Sequence, residues 1–230
     1  MQIQSFESRD AAFDAVAQST ITTLSASVAS KGHASILFSG GRTPAPAYRQ
    51  IASAEIDWSR VSIGLVDDRW VDEPDPASNG YLVRQTVIDA GAGAAKFVPM
   101  KTAHGSPFDA EIDLNVAYQP FEAPDVAILG MGPDGHTASW FPGSRGLSEA
   151  MSPETPKFVA GIDAKGCPVA GELTDRITVT LPVLVRAKKV ILLITGEEKL
   201  DVLKASANNL PIHQLFDARD NLIETVWAPA

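Results

Sequence analysis

The fold is decided by the stretch Val126-Ala-Ile-Leu-Gly-Met-Gly-Pro-Asp-Gly-His-Thr-Ala-Ser139. Its first four residues form an unbroken apolar run, which predicts a strand in a sheet that is covered on both faces. Three glycines and a proline then predict an irregular loop, because glycine accepts positive φ and lets backbone approach a ligand closely. Ligands bind at the C-terminal ends of strands in open α/β sheets. The loop therefore presents Asp134 and His136 where a reaction is expected.

The composition is that of an ordinary globular chain, with 45% apolar and 20% charged residues among 230. Without a convincing linker or repeat, it predicts one domain over residues 1–230. The net charge of −9 argues against a nucleic-acid partner, since phosphate backbones bind basic surfaces. Residues 1–12 do not resemble a signal peptide, and the apolar runs are too short to span a membrane. Together with the single Cys167, these features predict a cytoplasmic protein with no membrane partner and leave its oligomeric state open, a monomer being compatible.

Strands and helices alternate along the chain. Strands are predicted at 34–38, 61–66, 125–129, 157–162, 189–195 and 222–227, with extended segments at 96–99 and 176–180. Helices are predicted at 10–30, from Pro44 to about 52, after an N-cap at Ser78, at 109–119 and 181–187, from Gly196 to about 207, and at 210–218. The alternation predicts an α/β fold with a mostly parallel, Rossmann-like sheet and helices on both faces.

A second glycine loop, Ser39-Gly-Gly-Arg-Thr-Pro44, joins the strand at 34–38 to the helix that follows. Gly40 and Gly41 free backbone N–H groups, Thr43 adds a hydroxyl, and the helix N-terminus supplies a positive dipole. This combination indicates a phosphate cradle, and a plain strand-to-helix turn is the alternative. The loop matches neither the Walker A nor the dinucleotide-binding pattern, so the sequence does not support ATP or NAD.

Charged residues near the ends of other elements supply the cations that a phosphate site needs. The run Asp67-Asp68-Arg69 follows the strand at 61–66. Arg69 is there a candidate anion clamp, and a surface ion pair is the alternative. Arg176 and Lys199 also lie near element ends, although each alone is compatible with a solvated side chain.

These stretches together resemble the 6-phosphogluconolactonase family, within a wider group that includes glucosamine-6-phosphate deaminases. The resemblance covers nearly the whole chain. It is carried by Ser39-Gly-Gly-Arg-Thr-Pro44, Asp67-Asp-Arg69, Ser78-Asn79, Leu129-Gly-Met-Gly-Pro-Asp-Gly-His-Thr-Ala-Ser139, Arg176-Ile-Thr-Val-Thr180 and Thr195-Gly-Glu-Glu-Lys199. Two positions depart from the family, since Asp68 stands where it more often has Glu and Arg42 where it often has Ser.

The resemblance implies hydrolysis of 6-phospho-D-glucono-1,5-lactone to 6-phosphogluconate in the pentose phosphate pathway, without a cofactor or a required metal. Such chemistry needs an activated water and a stabilised oxyanion. It implies His136 as general base, Arg69 as stabiliser of the carbonyl oxygen, and Asp134 as the residue that orients the imidazole or the substrate hydroxyls. The residues expected to bind substrate are Gly40, Gly41, Thr43, Asp67, Arg176 and Lys199, all but Asp67 at the phosphate. The division of roles between Asp67 and Asp134 stays open.

Two other classes of function remain as alternatives. Amino-sugar phosphate deaminases follow the histidine with an Asn-Glu-Pro-type stretch, whereas this chain has Ser139-Trp-Phe-Pro142 and no acid until Glu149. A sugar-phosphate sensor of a transcriptional regulator needs a DNA-binding module, but the residues before 34 predict only one acidic-to-neutral helix. A Ser-His-Asp hydrolase is disfavoured because no Gly-x-Ser-x-Gly elbow occurs, and zinc because no ligand spacing occurs.

Overall fold

The computed structural model describes residues 1–205 and 210–230. Within them the strands are β1 (Ile3–Ser5), β2 (Ala34–Phe38), β3 (Val61–Leu65), β4 (Asp67–Arg69), β5 (Lys96–Phe97), β6 (Val126–Leu129), β7 (Val159–Asp163), β8 (Asp175–Val179), β9 (Lys189–Thr195) and β10 (Glu224–Ala228). The α-helices are α1 (Arg9–Lys31), α2 (Ala45–Ala52), α3 (Asn79–Val83), α4 (Glu111–Ala117), α5 (Leu147–Ala150), α6 (Leu181–Arg186), α7 (Glu197–Lys204) and α8 (Pro211–Ala218). A π-helix over Arg84–Ala92 continues α3.

Seven strands form a parallel sheet in the order β1-β10-β9-β6-β2-β3-β5. Every residue of β2 and β6 is buried. Because successive side chains of a strand point to opposite faces, both faces of the sheet are covered. The predicted α/β fold with a mostly parallel sheet is therefore confirmed.

The strand order reverses beside β2, and this reversal positions the site. From β2 the chain adds β3 and β5 on one side, and it then adds β6, β9 and β10 on the other. The two glycine loops follow β2 and β6, which are neighbours in the sheet. A crevice opens where the order of an open parallel sheet reverses, so the two loops lie on its opposite sides.

A second sheet was not foreseen from the sequence. Strands β4, β8 and β7 pair antiparallel, and Arg69 of β4 lies opposite Arg176 of β8. The residues Asp67–Arg69, for which the sequence predicted only a position after the strand at 61–66, are therefore a short strand themselves. Three polar residues show no alternation of apolar and polar side chains, so the sequence carries no strand signal there. Their pairing depends on β8, more than a hundred residues away in the sequence.

Several predicted element ends are confirmed by their capping contacts. Helix α1 begins after Ser8, whose side chain accepts from the Ala11 N–H, and ends at Gly32 with a φ of 78°. Ser78 caps α3 as predicted, because its Oγ accepts from the Tyr81 N–H at 3.2 Å. Helix α7 ends at Lys204, and its predicted end near 207 lies outside the described residues.

One buried carboxylate joins α1 to the sheet. Asp125 accepts hydrogen bonds from Ser27 Oγ at 2.7 Å and from the Ser35 N–H at 2.8 Å, and it pairs with Lys31 Nζ at 2.8 Å. Burial alone would raise the pKa of Asp125, but the hydrogen bonds from these three partners lower it below its usual range. No helix in the described ranges is long and apolar enough to cross a membrane.

Candidate active site

A cleft lies at the C-terminal ends of β2 and β6. It collects side chains and backbone from both glycine loops, from β4 and β8, and from the start of α7. Eight of the nine predicted site residues line it, namely Gly40, Gly41, Thr43, Asp67, Arg69, His136, Arg176 and Lys199. The ninth, Asp134, does not line the cleft and instead contacts His136. Arg42 is exposed and does not line the cleft either.

Asp134 holds the imidazole of His136. Asp134 Oδ1 lies 2.5 Å from His136 Nδ1 and also accepts from the His136 backbone N–H at 3.2 Å. Because an ionised carboxylate only accepts, Nδ1 carries the proton and Nε2 keeps its lone pair for another proton. Burial alone would raise the pKa of Asp134, but its hydrogen bonds with His136, and the positive charge of the imidazole whenever that ring is protonated, lower it. The aspartate therefore stays ionised and fixes the tautomer.

The loop around His136 is too crowded for a side chain at residue 132. A Cβ on Gly132 would lie 2.1 Å from His136 Cε1 and 2.3 Å from Nδ1. The Gly132 N–H also donates to the His136 carbonyl at 2.9 Å, and the Phe141 ring lies with its centroid 4.3 Å from that of the imidazole. Glycine at residue 132 thus lets the ring pack onto the backbone.

The second half of the loop turns toward a different carboxylate. Ala138 has a φ of 49°, a left-handed conformation that alanine rarely adopts. The next residue, Ser139, is fully buried and donates from Oγ to Asp67 Oδ2 at 2.6 Å. The left-handed residue thus lies between two anchors, the His136–Asp134 pair and the Ser139–Asp67 pair.

Asp67 occupies the cleft wall and takes no part in holding His136. It is 8% exposed, and its Oδ1 accepts from Asn79 Nδ2 at 3.2 Å. Asn79 Nδ2 also donates to the Asp67 backbone carbonyl at 2.8 Å. The structure therefore separates the two carboxylates, with Asp134 on the imidazole and Asp67 facing the cleft.

The first glycine loop is fixed at its start and open at its tip. The buried Tyr48 hydroxyl accepts from the Ser39 N–H at 3.1 Å and donates to the Ser39 carbonyl at 2.9 Å. The backbone N–H groups of Gly40, Gly41 and Thr43 form no hydrogen bond with the described part of the chain. They are therefore available to an anion.

The two arginines of the cleft are held by backbone carbonyls. Arg69 Nη1 donates to Ala77 O at 2.5 Å. Arg176 donates from Nε to Leu173 O at 2.6 Å and from Nη2 to Ala170 O at 2.8 Å. Burial lowers the pKa of Arg176, and the Asp67 charge opposes that shift. Arg176 thus stabilises the loop that contains Ala170 and Leu173, and it also places a positive charge at the cleft.

Lys199 differs from the arginines. It lines the cleft near the start of α7 and forms no hydrogen bond or ion pair within the described ranges. Its ammonium group is thus available to bind a ligand. In the same part of the chain no three His, Cys, Asp or Glu side chains cluster as metal ligands.

Four further residues shape the site, although the sequence indicated no role for them. Tyr48, Asp68, Asn79 and Ser139 are buried and bonded to the backbone or side chains of cleft residues. Asn79 and Ser139 did appear within the quoted motifs, which was the available signal. No such signal marked Tyr48, because a tyrosine among the apolar residues of a helix predicts only packing.

The chain belongs to the family of glucosamine-6-phosphate isomerases/6-phosphogluconolactonase, whose model matches residues 7–227. Among its relatives, the 6-phosphogluconolactonase of Xylella fastidiosa (strain Temecula1) is 39% identical over 209 residues, covering 87% of this chain and 84% of the relative. That of Rhizobium meliloti is 37% identical over 230 residues and 97% of each chain. The crystal structure of a 6-phosphogluconolactonase from Shewanella baltica matches with a TM-score of 0.84 at 29% identity, over 98% of this chain and 97% of that one. The resemblance seen in the sequence is thereby confirmed.

Proposed function

We propose that this chain is a hydrolase that converts 6-phospho-D-glucono-1,5-lactone to 6-phosphogluconate in the pentose phosphate pathway. One observation carries the proposal. The cleft holds a histidine whose Nε2 is free to accept a proton, together with an anion site made of free N–H groups and the uncommitted Lys199. The names of the relatives at 37–39% identity support the same reaction.

His136 is the proposed general base. Its Nε2 takes a proton from water as the water oxygen attacks the lactone carbonyl carbon, and the carbonyl electrons move to oxygen. Arg69 stabilises that negative charge. When the tetrahedral intermediate collapses, the bond to the ring oxygen breaks and the imidazolium returns its proton to that oxygen. No covalent intermediate with the chain forms, and Asp134 keeps the imidazole in the required tautomer throughout.

The phosphate is bound at the other side of the cleft. Gly40, Gly41 and Thr43 offer backbone N–H groups and a hydroxyl, and Arg176 and Lys199 offer positive charge. Because the phosphate is bound at a distance from the reacting carbonyl, its binding energy can orient the lactone for attack. Asp67 faces the same space and is assigned to the sugar hydroxyls, since its carboxylate accepts hydrogen bonds.

The deaminase alternative has less support. The first acid after the histidine loop, Glu149, does not line the cleft, and its Oε1 accepts from Thr155 Oγ1 at 2.5 Å. The described residues before β2 form β1 and α1 and do not themselves make a helix-turn-helix, so no observation favours the sensor alternative. The proposed partner is a small phosphorylated lactone, as the relatives' names imply. The lack of a nucleic-acid partner, the single domain over 1–230 and the cytoplasmic location are proposed from the sequence, through its net charge of −9, its lack of a linker or repeat and its single Cys167.

The test is a hydrolysis assay with freshly generated 6-phosphogluconolactone, followed by proton release and corrected for spontaneous opening. We expect the protein to accelerate hydrolysis and to prefer this lactone to unphosphorylated gluconolactone. Hydrolysis at the spontaneous rate, by a protein shown to be folded, would contradict the proposed function. Equal rates with both lactones would contradict the phosphate site but not the lactone hydrolysis itself.

A further inference from the structure

Asp68 is buried beside the cleft without lining it. Asp68 is 1% exposed, and its two carboxylate oxygens accept four hydrogen bonds. Oδ1 accepts from the N–H groups of Arg69 at 2.8 Å and Asn79 at 2.6 Å. Oδ2 accepts from Ser78 Oγ and from the Gly80 N–H, each at 3.0 Å. The carboxylate thus has about as many donors as its lone pairs can take.

Two of these donors belong to residues that do line the cleft. Arg69 carries the guanidinium assigned to the carbonyl oxygen, and Asn79 holds Asp67 through its side chain. Asn79 also packs against Gly40 so closely that a Cβ there would lie 1.8 Å from Asn79 Oδ1. A shift of the Asn79 backbone would therefore displace both the cleft carboxylate and the glycine loop.

We propose that Asp68 is a positioning residue for the reaction, which holds Arg69 and Asn79 in their working places through its ionised carboxylate. The inference deepens the proposed function and rests on it. Asp68 touches neither the substrate site nor His136, so its effect on the reaction passes through the two neighbours that it orders.

The ionised form is required because of what surrounds it. Three of the four donors are backbone N–H groups, which cannot accept a proton. A neutral carboxyl could turn its proton only toward Ser78 Oγ, which already accepts from the Tyr81 N–H, and would weaken its bonds to the others. Burial raises the pKa of Asp68, and the negative charge of Asp67 adds to that effect. The hydrogen bonds from the N–H groups of Asn79, Gly80 and Arg69 lower the pKa and so oppose both effects, and the net result is a pKa raised to about 6.

Other ionisable groups also face Asp68. They are Asp67 and Arg69 on its own strand, Arg176 on β8, Tyr118 after α4, and Glu73, whose Oε1 lies close to Gly80 and is in turn paired with Arg84 through Oε2. The Arg176 charge favours the ionised carboxylate, and the Asp67 charge opposes it. The side chains of these groups form no hydrogen bond to Asp68 within the described residues, so its donors are the four named above.

The test compares Asp68→Asn with Asp68→Glu and with Asp72→Asn. Asparagine keeps the size but presents an NH₂ group to the Ser78 hydroxyl and the Gly80 N–H, so we expect kcat to fall at least about tenfold while KM changes less than about threefold. Glutamate restores the carboxylate and should recover most of kcat. Asp72 is a matched control, because its side chain is 87% exposed and, among the described residues, forms an ion pair with Lys101 alone.

A second readout is the pH dependence of kcat in Ser78→Ala. Loss of one donor disfavours the ionised carboxylate, so the acid limb of kcat should move to higher pH than in the wild type. The two proteins differ only at residue 78, whose hydroxyl donates to Asp68, so the shift between them reports Asp68. This comparison also decides the matter where Asp68→Asn does not fold.

Two results would overturn the inference while leaving the proposed function standing: a folded Asp68→Asn protein with kcat within twofold of wild type, or an unmoved acid limb in Ser78→Ala. A wild-type protein that does not hydrolyse the lactone would instead overturn the proposed function and this inference with it. The Asp72→Asn control should retain wild-type kcat, and an equal loss there would show that the effect is not specific to Asp68.

Discussion

His136 and Asp134 lie two residues apart, and the local backbone turns this spacing into a hydrogen bond. The loop reverses at Gly132–Gly135, where the Gly135 N–H donates to the Gly132 carbonyl at 3.1 Å. The contact is local in sequence, so the pair could be predicted from the motif. Asp67 meets Ser139 across 72 residues, and no pattern in the sequence indicates that contact. This is why the roles of the two aspartates could not be separated before the structure.

For His136→Ala we expect kcat to fall about 10²-fold or more with little change in KM, because a general base acts on the transition state. Steady-state kinetics on the phosphorylated lactone measure both constants. His33→Ala is a suitable control, since His33 is exposed, does not line the cleft and precedes β2 at the end of that strand opposite the cleft. Near-wild-type kcat in folded His136→Ala would remove this residue from the mechanism.

Lys199→Ala should weaken binding of phosphorylated ligands at least about tenfold more than binding of unphosphorylated gluconolactone. The side chain has no partner among the described residues, so its removal takes away charge without breaking a structural contact. Competition by inorganic phosphate and by 6-phosphogluconate measures the effect, with Lys204→Ala on the same helix as control.

Arg176→Ala should show the same preference for phosphorylated ligands but also lower the stability of the fold, because Arg176 donates hydrogen bonds to two backbone carbonyls. Equal losses with both classes of ligand would contradict the phosphate assignment.

Secondary-structure elements were predicted wherever the pattern is local. Strand β2 occupies 34–38 and β9 occupies 189–195 as predicted, because each contains an apolar run, Ile36–Phe38 in β2 and Val190–Ile194 in β9. A helix after Ser78 was predicted, but neither its π form over Arg84–Ala92 nor the strand at Asp67–Arg69 was. Each depends on packing against elements that are distant in sequence, and helix propensity does not distinguish a π turn from an α turn.

The contacts of Asp125 predict how α1 is attached. We expect Asp125→Ala to lower the free energy of unfolding by about 2–4 kcal/mol, since it leaves the buried Ser27 hydroxyl and Ser35 N–H without their acceptor and removes the ion pair with the partly exposed Lys31. The pKa of Asp125 is lower in the folded protein than in the unfolded chain, so this contribution is present above about pH 4 and is lost as pH falls through the folded pKa. The difference between wild type and variant in denaturant unfolding should therefore shrink in acid.

Asp57→Ala is the matched control for that measurement, because Asp57 and its partner Arg60 are both exposed. It should leave the unfolding midpoint nearly unchanged. An Asp125→Ala protein as stable as the wild type at neutral pH would show that α1 is held by apolar packing alone.

The whole molecule brings the site together through strand order, which the sequence left open. Alternating elements predict parallel pairing, but many orders of the same strands satisfy that pattern. The observed order makes β2 and β6 neighbours, and only this adjacency places both glycine loops on one cleft. The predicted site residues were chosen from separate motifs, and tertiary contacts converge eight of them on one space.

The arrangement of the whole cleft predicts the class of reaction and its metal requirement together. The proposed chemistry uses a base, an anion clamp and a phosphate cradle that the chain itself supplies. We therefore expect exhaustive chelation to leave lactone hydrolysis intact, as measured by proton release before and after treatment. Loss of activity that a divalent ion restores would contradict the mechanism.

The same chelated and untreated preparations should release no ammonia from glucosamine 6-phosphate. Deamination needs an acid close behind the histidine, whereas here the following residues are Ser139, bonded to Asp67, and Trp140, buried and bonded to Val179 O at 2.9 Å. Glucosamine 6-phosphate should still compete with the lactone, because its phosphate fits the same cradle. Competition without ammonia would confirm a shared phosphate site with a different reaction, and ammonia release above the no-protein control would place the chain among the deaminases.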